Sequence, residues 1–186
     1  TGMRFVSSGD EPDLIAGVGT AALEVLERQQ PETELVIVPI GAGSGACGWL
    51  TVRDGLGHGA EVWGVQSAQA PAAYESWRAG EVVTRPNLTT AEGLATGAGF
   101  SLPLSILRRS LNDFLLVDDE AIEAAVVALL DHDPVAVEDA LVDHRIAAHL
   151  QHVAPVRGTQ LRWDIDGLGI ADRLDRPAGG DIAIQR

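Results

Sequence analysis

The run of residues 35–40, Leu-Val-Ile-Val-Pro-Ile, is short, continuous and rich in β-branched side chains, as a strand buried on both faces requires, and it feeds directly into the glycine-rich stretch 41–48. Few folds accommodate that junction. A buried strand, a glycine turn and then a helix bring unpaired backbone N–H groups and a helix dipole to one point, and both favour an anion, of which phosphate is the natural one. Glycine suits the turn because a side chain would hold the anion off the amides and forbid the required backbone angles. Three readings of the loop stand side by side: a phosphate cradle, a tight turn with no ligand, or the entry to an NAD-binding Rossmann domain. The last arises because Gly43, Gly45 and Gly48 also satisfy the dinucleotide spacing. That spacing calls for an acid about 20 residues further on to hold the ribose hydroxyls. The next predicted strand ends at Val65-Gln66 with no acid, and Glu61 lies at its wrong end.

Around this junction the chain alternates helices and strands. Leu14, Ile15, Val18, Ala22, Val25 and Leu26 recur at helical spacing after Glu11-Pro12, and the helix should end near Pro31. The glycine turn is expected to fill 41–48 and a helix to continue over 49–56. A second strand is predicted at 61–65, a helix at 71–79, a loop through Arg85-Pro86-Asn87, shorter helices near Thr90 and Pro103, and a third strand at 114–117. Asp118-Asp119-Glu120 places acids at a helix start, where the dipole favours them, and Ile122, Val126, Leu129 and Leu130 supply that helix's apolar face. Such alternation predicts an α/β fold, a parallel sheet flanked by helices. Beyond residue 131 the periodicity weakens, although 133–152 could form one more helix. The expected division is an α/β cofactor-phosphate-binding portion at 1–131 and a divergent tail at 132–186.

Charge and side-chain chemistry exclude several functions. A net charge of −14 disfavours nucleic acid and anionic lipid, both of which demand clustered cations. No apolar run reaches the roughly 20 residues that span a bilayer, and no signal peptide is visible, so the cytoplasm is the expected compartment. Cys47 alone makes neither a disulfide framework nor a zinc site, and as a residue just past the loop it reads as a small packed side chain rather than a nucleophile. His149 and His152 have helical spacing but lack the further partners a metal would need. All 13 basic residues are arginine, whose delocalised guanidinium cannot form the Schiff base that an aldehyde cofactor makes with a primary amine.

Four segments in order carry a resemblance to a known family. They are Glu11-Pro12-x-Leu14-Ile15-Ala16-Gly17-x-Gly19-Thr20, then Val38-Pro39-Ile40-Gly41-Ala42-Gly43-Ser44, then Val65-Gln66 with Ala70-Pro71, then Ala91-Glu92-Gly93-Leu94-Ala95. Over roughly residues 5–135 the chain resembles fold-type-II pyridoxal-phosphate enzymes of the serine/threonine dehydratase and serine racemase kind. The resemblance implies the large domain of that fold, with pyridoxal phosphate as cofactor. It implies that Gly41, Ala42, Gly43 and Ser44 form the loop that holds the cofactor phosphate, with Ser44 replacing a glycine and offering a hydroxyl. It also implies that Gly93 places its backbone beside the cofactor ring; a plain helix–loop junction with Glu92 in solvent is the alternative reading of that segment.

What the resemblance implies for activity is deamination of a small β-hydroxy amino acid to a keto acid and ammonia. The family's lysine and substrate-carboxylate loop would lie in a region preceding Thr1, so the chain is expected to carry no catalytic residue and to be inactive alone, as a truncated or split dehydratase. A homo-oligomer or a complementing N-terminal chain is the expected partner. Where relatives hold a divalent cation through two acids, Gln66 and Ala72 stand instead, and no metal site is expected. The tail departs further: Asp139 and Leu141 follow Glu138 where glycines are expected, and Ala178-Gly179-Gly180-Asp181 lacks the serine hydroxyl that would meet the pyridine nitrogen. A ligand-binding or assembly module that has given up catalysis is the competing reading.

Overall fold

A computed structural model describes residues 2–29, 32–132 and 182–184. The chain divides after Asp119: the residues up to that point, with 182–184, form one compact unit, and α5 (Asp119–His132) opens a second.

In the first unit α1 (Pro12–Glu24) starts with proline in its first turn and Asp13 beside it, the arrangement a helix N-terminus favours, and it closes through one π turn, Val25–Gln29. β1 (Leu35–Pro39) leads to α2 (Ser44–Leu56), and α2 stops at Gly57, whose φ of +63° is the left-handed cap that glycine supplies without strain. β2 (Glu61–Ser67), α3 (Ala72–Ala79), a single 3-10 turn at Glu92–Leu94, α4 (Ser101–Ser110) and β3 (Asp113–Val117) follow. β4 (Ile182–Ile184) completes a sheet of order β3-β2-β1-β4 in which every pair is parallel. The expected parallel α/β architecture is therefore present.

Three details differ from the sequence expectation, each for a local reason. α2 begins at Ser44 and takes in Gly45 and Gly48, because Gly43 turns the chain in one residue at φ +97°. Gly48 serves helix packing: a Cβ there would stand 2.9 Å from Gly19 N and 3.1 Å from Gly19 Cα, so α1 and α2 touch backbone to backbone. β2 runs to Ser67, past the apolar stretch, because β3 pairs with it up to Ser67↔Val117. β4 pairs with β1 from Leu35↔Ile182 to Ile37↔Ile184; an Ile-Ala-Ile triplet with no periodic flank gave no strand signal.

The core is built from Val36, Val38, Ile40, Val62, Leu50, Trp49, Leu107 and Phe114, all buried between sheet and helices. Tyr74 and Trp77 of α3 meet Phe114 of β3 at centroid distances of 5.4 and 5.8 Å, the first edge-on, the geometry aromatic quadrupoles favour. At the amino end of the sheet the buried Arg53 ties the end of α2 to neighbouring elements. Its guanidinium donates to Asn112 Oδ1 at 2.6 Å, Ser110 O at 2.8 Å and Asp54 Oδ1 at 2.6 Å. Asn112 Oδ1 also accepts from Val62 N at 3.0 Å, so strand β2 is anchored at its start. This clamp leaves the carboxyl end of the sheet open to the loops that follow β1 and β2.

Candidate functional site

In an open parallel sheet the crevice lies beyond the carboxyl ends of the strands, where the order runs away on both sides of one strand. β1 is that strand, with β2 and β3 on one side and β4 on the other. Just beyond its carboxyl end lie residues 41–44. Gly41 and Gly43 are buried, Ala42 and Ser44 half-buried, and Gly41 lies against the 3-10 turn, since a Cβ on it would come within 3.1 Å of Leu94 Cα and 3.3 Å of Gly93 O. Thr96 Oγ1 donates to Gly41 O at 3.0 Å and pins the same contact. The structure thus brings Gly93 up to the loop, although the two are far apart in sequence. Ala42 lines a small apolar hollow with Phe100, Pro103, Leu104 and Leu107.

The first helical bond of α2 is Cys47 N–H to Gly43 O at 3.0 Å, so the N–H groups of Ser44, Gly45 and Ala46 lie ahead of it at the positive end of a 13-residue helix, and no side chain caps them. A Cβ on Gly45 or on the exposed Gly93 would meet no protein atom within 4 Å, which leaves the approach from solvent clear. At Gly43 a Cβ would combine a positive φ with a 3.1 Å approach to Pro103 Cβ. A small bare-backbone cradle at a helix N-terminus fits a phosphate group. Gly48 is spoken for by α1, and the strand that should carry a ribose-binding acid places Gln66 there, fully buried, with Oε1 accepting from Tyr74 N at 2.9 Å. Its Nε2 has no partner among the described residues. Ala72 is buried at the start of α3. Glu138, Asp139, Leu141, His149, His152 and Ala178–Asp181 lie outside the described residues.

Cys47 is fully buried, with Sγ 3.7 Å from Pro103 O. Burial pushes its thiol up to about 12, against a small lowering by Arg109. Burial and the raised pKa both suppress the reactive thiolate. Alkylation of the folded chain by iodoacetamide, followed by mass spectrometry, should be slower than that of the urea-unfolded chain by at least about tenfold; equal rates would count against a packed, inert Cys47.

Sequence reasoning missed a group of polar residues beside the cradle. The Asp119 carboxylate accepts from Ser67 Oγ at 2.6 Å, Thr89 Oγ1 at 2.8 Å, Thr90 N at 2.6 Å and Thr90 Oγ1 at 3.1 Å. Burial raises its pKa, but these four hydrogen bonds together outweigh it and hold the carboxyl below the usual carboxylate value. In the sequence Asp119 was legible as a helix-start acid, and nothing in its spacing from Ser67 or Thr89 announced the cluster.

Residues 1–140 match the family model described as pyridoxal-phosphate dependent enzyme. The chain is 36% identical over 141 residues to an L-threonine ammonia-lyase of Geobacter sulfurreducens, covering 75% of this chain and 35% of that protein. It is 30% identical over 157 residues to human serine racemase, covering 81% and 45%. The chain thus spans less than half the length of these relatives. A solved structure of maize serine racemase superposes with a TM-score of 0.65 at 29% identity, over 70% of this chain and 41% of that one. No described helix is long and apolar enough to cross a membrane. The bare-backbone loop at the carboxyl end of β1, the family match over residues 1–140 and the shared fold agree: this chain belongs to the pyridoxal-phosphate dependent enzyme family.

Proposed function

We propose that this chain forms the cofactor-phosphate-binding part of a pyridoxal-phosphate dependent ammonia-lyase that acts on serine, threonine or a related β-hydroxy amino acid. One observation carries the reading: the uncapped N-terminus of α2, reached through Gly41–Ser44 and faced by Gly93. The cofactor, when bound, supplies the electron sink that makes an amino acid's α proton removable and its β hydroxyl a leaving group. The residues of this chain bind and orient. The N–H groups of Ser44, Gly45 and Ala46 would hold the phosphate, the Ser44 hydroxyl would add a donor, and the exposed backbone at Gly93 would lie beside the cofactor.

With arginine as its every basic residue, the chain offers no side-chain amine to the cofactor aldehyde. Turnover by this reading requires a lysine from a partner or from further sequence. The same observation favours a second reading, a binding module without turnover. Both predict phosphate-ligand binding, and supplying a lysine-bearing complementing chain separates them: ammonia release from serine or threonine supports the lyase, and binding without release supports the module.

The test of the site itself is a titration of the chain with pyridoxal 5′-phosphate and, separately, with the aldehyde-free pyridoxine 5′-phosphate, which cannot form a Schiff base with any amine. Saturable binding of both, displaced by inorganic phosphate and not reproduced by NAD, is the expected result. Selective binding of NAD, or binding of the aldehyde form alone, would refute the phosphate cradle.

A further inference from the structure

We infer that Asp119 is a positioning residue of this site, holding the Gly93 wall against the phosphate loop; the inference rests on the phosphate-cradle reading above. The 3-10 turn Glu92–Leu94 buries none of its residues, so core packing does not fix where it sits. It is placed by polar ties at its two ends. On the far side Thr96 Oγ1 holds Gly41 O, and Arg85 N bonds Gly97 O at 2.9 Å. On the near side the ties converge on Asp119.

One oxygen, Oδ1, accepts from Ser67 Oγ at the end of β2 and from Thr89 Oγ1; the other, Oδ2, accepts from the backbone and hydroxyl of Thr90. The Thr89 hydroxyl, whose hydrogen points to Asp119, accepts from Ala91 N at 3.1 Å, and Ala91 O in turn accepts from Leu94 N at 2.9 Å. A second strap runs alongside, with Gln69 N donating to Ser67 Oγ at 3.0 Å and Leu88 N to Gln69 O at 2.9 Å. An ionised carboxylate is the one side chain that can accept all four donors, because it has lone pairs for each and no proton of its own to clash. From the carboxyl end of β2 the line of bonds therefore reaches Leu94, the residue whose Cα sets how closely Gly41 approaches.

The experiment uses the full chain with Asp119→Asn, Thr89→Val and, as a control in the same connection, Glu75→Gln, which breaks the exposed Arg85–Glu75 pair. Asparagine keeps the shape but turns an N–H toward donors. Pyridoxine 5′-phosphate affinity is measured by calorimetry, amide exchange at Leu94 and Ala95 by NMR, and the unfolding midpoint on the same samples. Asp119→Asn should bind at least tenfold more weakly and exchange those amides at least tenfold faster at temperatures well below its midpoint. Thr89→Val should shift both in the same direction by less, and Glu75→Gln should match the parent. A merely structural role predicts a lowered midpoint with parent-like affinity in the folded range, and that result, or unchanged exchange in both Asp119→Asn and Thr89→Val, overturns the inference. Should Asp119→Asn not fold, Thr89→Val alone decides by the same criteria. Failure of the unaltered chain to bind is a different outcome, visible in the parent, and sinks the phosphate cradle together with the positioning role.

Discussion

Gly43→Asp should weaken binding of pyridoxine 5′-phosphate and of inorganic phosphate by more than about a hundredfold, which corresponds to roughly 2.7 kcal/mol. Two effects add. Gly43 has φ +97°, where a residue with a Cβ carries a strain of about 1–2 kcal/mol, and that Cβ would stand 3.1 Å from Pro103 Cβ in the rigid first turn of α4. The carboxylate would also sit at the mouth of a helix N-terminus meant for an anion, and two like charges about 4 Å apart near a protein surface repel by about 4 kcal/mol per charge pair. Gly43→Ala separates the two, since it adds the strain without the charge, and should fall between parent and aspartate. Calorimetry at fixed ionic strength, with circular dichroism to show that the helices persist, is the measurement. Parent-like affinity in a folded Gly43→Asp chain would move the phosphate away from this loop.

The elements that sequence makes legible here are those whose signal is local. β1 is a run of β-branched residues, α1 an apolar stripe behind a proline start, and each emerged within a few residues of its expected bounds. The glycine turn between β1 and α2 was legible as well, because glycines between a buried apolar run and a helical stretch mark a break in the chain. What escaped was set by distant partners. Gly48 looks like part of a ligand-binding fingerprint until Gly19 is found against it. Gln66 and Ser67 extend β2 because β3 is there to pair with them. Asp119 reads as one of three acids at a helix start, yet Ser67 at the end of β2 and Thr89 and Thr90 of the loop after α3 converge on it. A tie between side chains so far apart in sequence leaves no period for a pattern search to find, whereas the helix dipole, which the sequence does announce, accounts for an acid at that position but not for its four donors.

Arg53→Leu is expected to destabilise the chain by about 2–4 kcal/mol, since a buried neutral acceptor left without its donor costs about 1–3 kcal/mol, out of a total that rarely exceeds about 15 kcal/mol. Arg53 is only 8% exposed, and its loss strips donors from Ser110 O, Asn112 Oδ1 and Ala60 O at the point where α2, α4 and the starts of β2 and β3 meet. Arg53→Lys should recover a minor part, since an ammonium cannot reach in three directions as the planar fork does. Asp54→Asn should cost under about 1 kcal/mol, because that carboxylate is 41% exposed. Burial raises the Asp54 pKa, but hydrogen bonds from Ser110 and Arg53 and the charges of Arg53 and Arg109 outweigh it, so the group lies below its ordinary value. The stabilisation it gives is thus present above that ordinary value and disappears as pH falls through the lower folded one, and the gap between parent and Asp54→Asn should close in acid. Urea unfolding read by tryptophan fluorescence measures all three variants. Nine residues of helix, about 14 Å, separate Arg53 from Ser44, so the clamp and the cradle occupy opposite ends of α2 and should respond independently. Arg53→Leu should lower the unfolding midpoint and leave phosphate affinity unchanged in the folded range, whereas Gly43→Asp should do mainly the reverse. Loss of phosphate affinity in folded Arg53→Leu would mean that α2 does not act as a rigid rod between them, and that the site depends on how the whole helix is seated on the sheet.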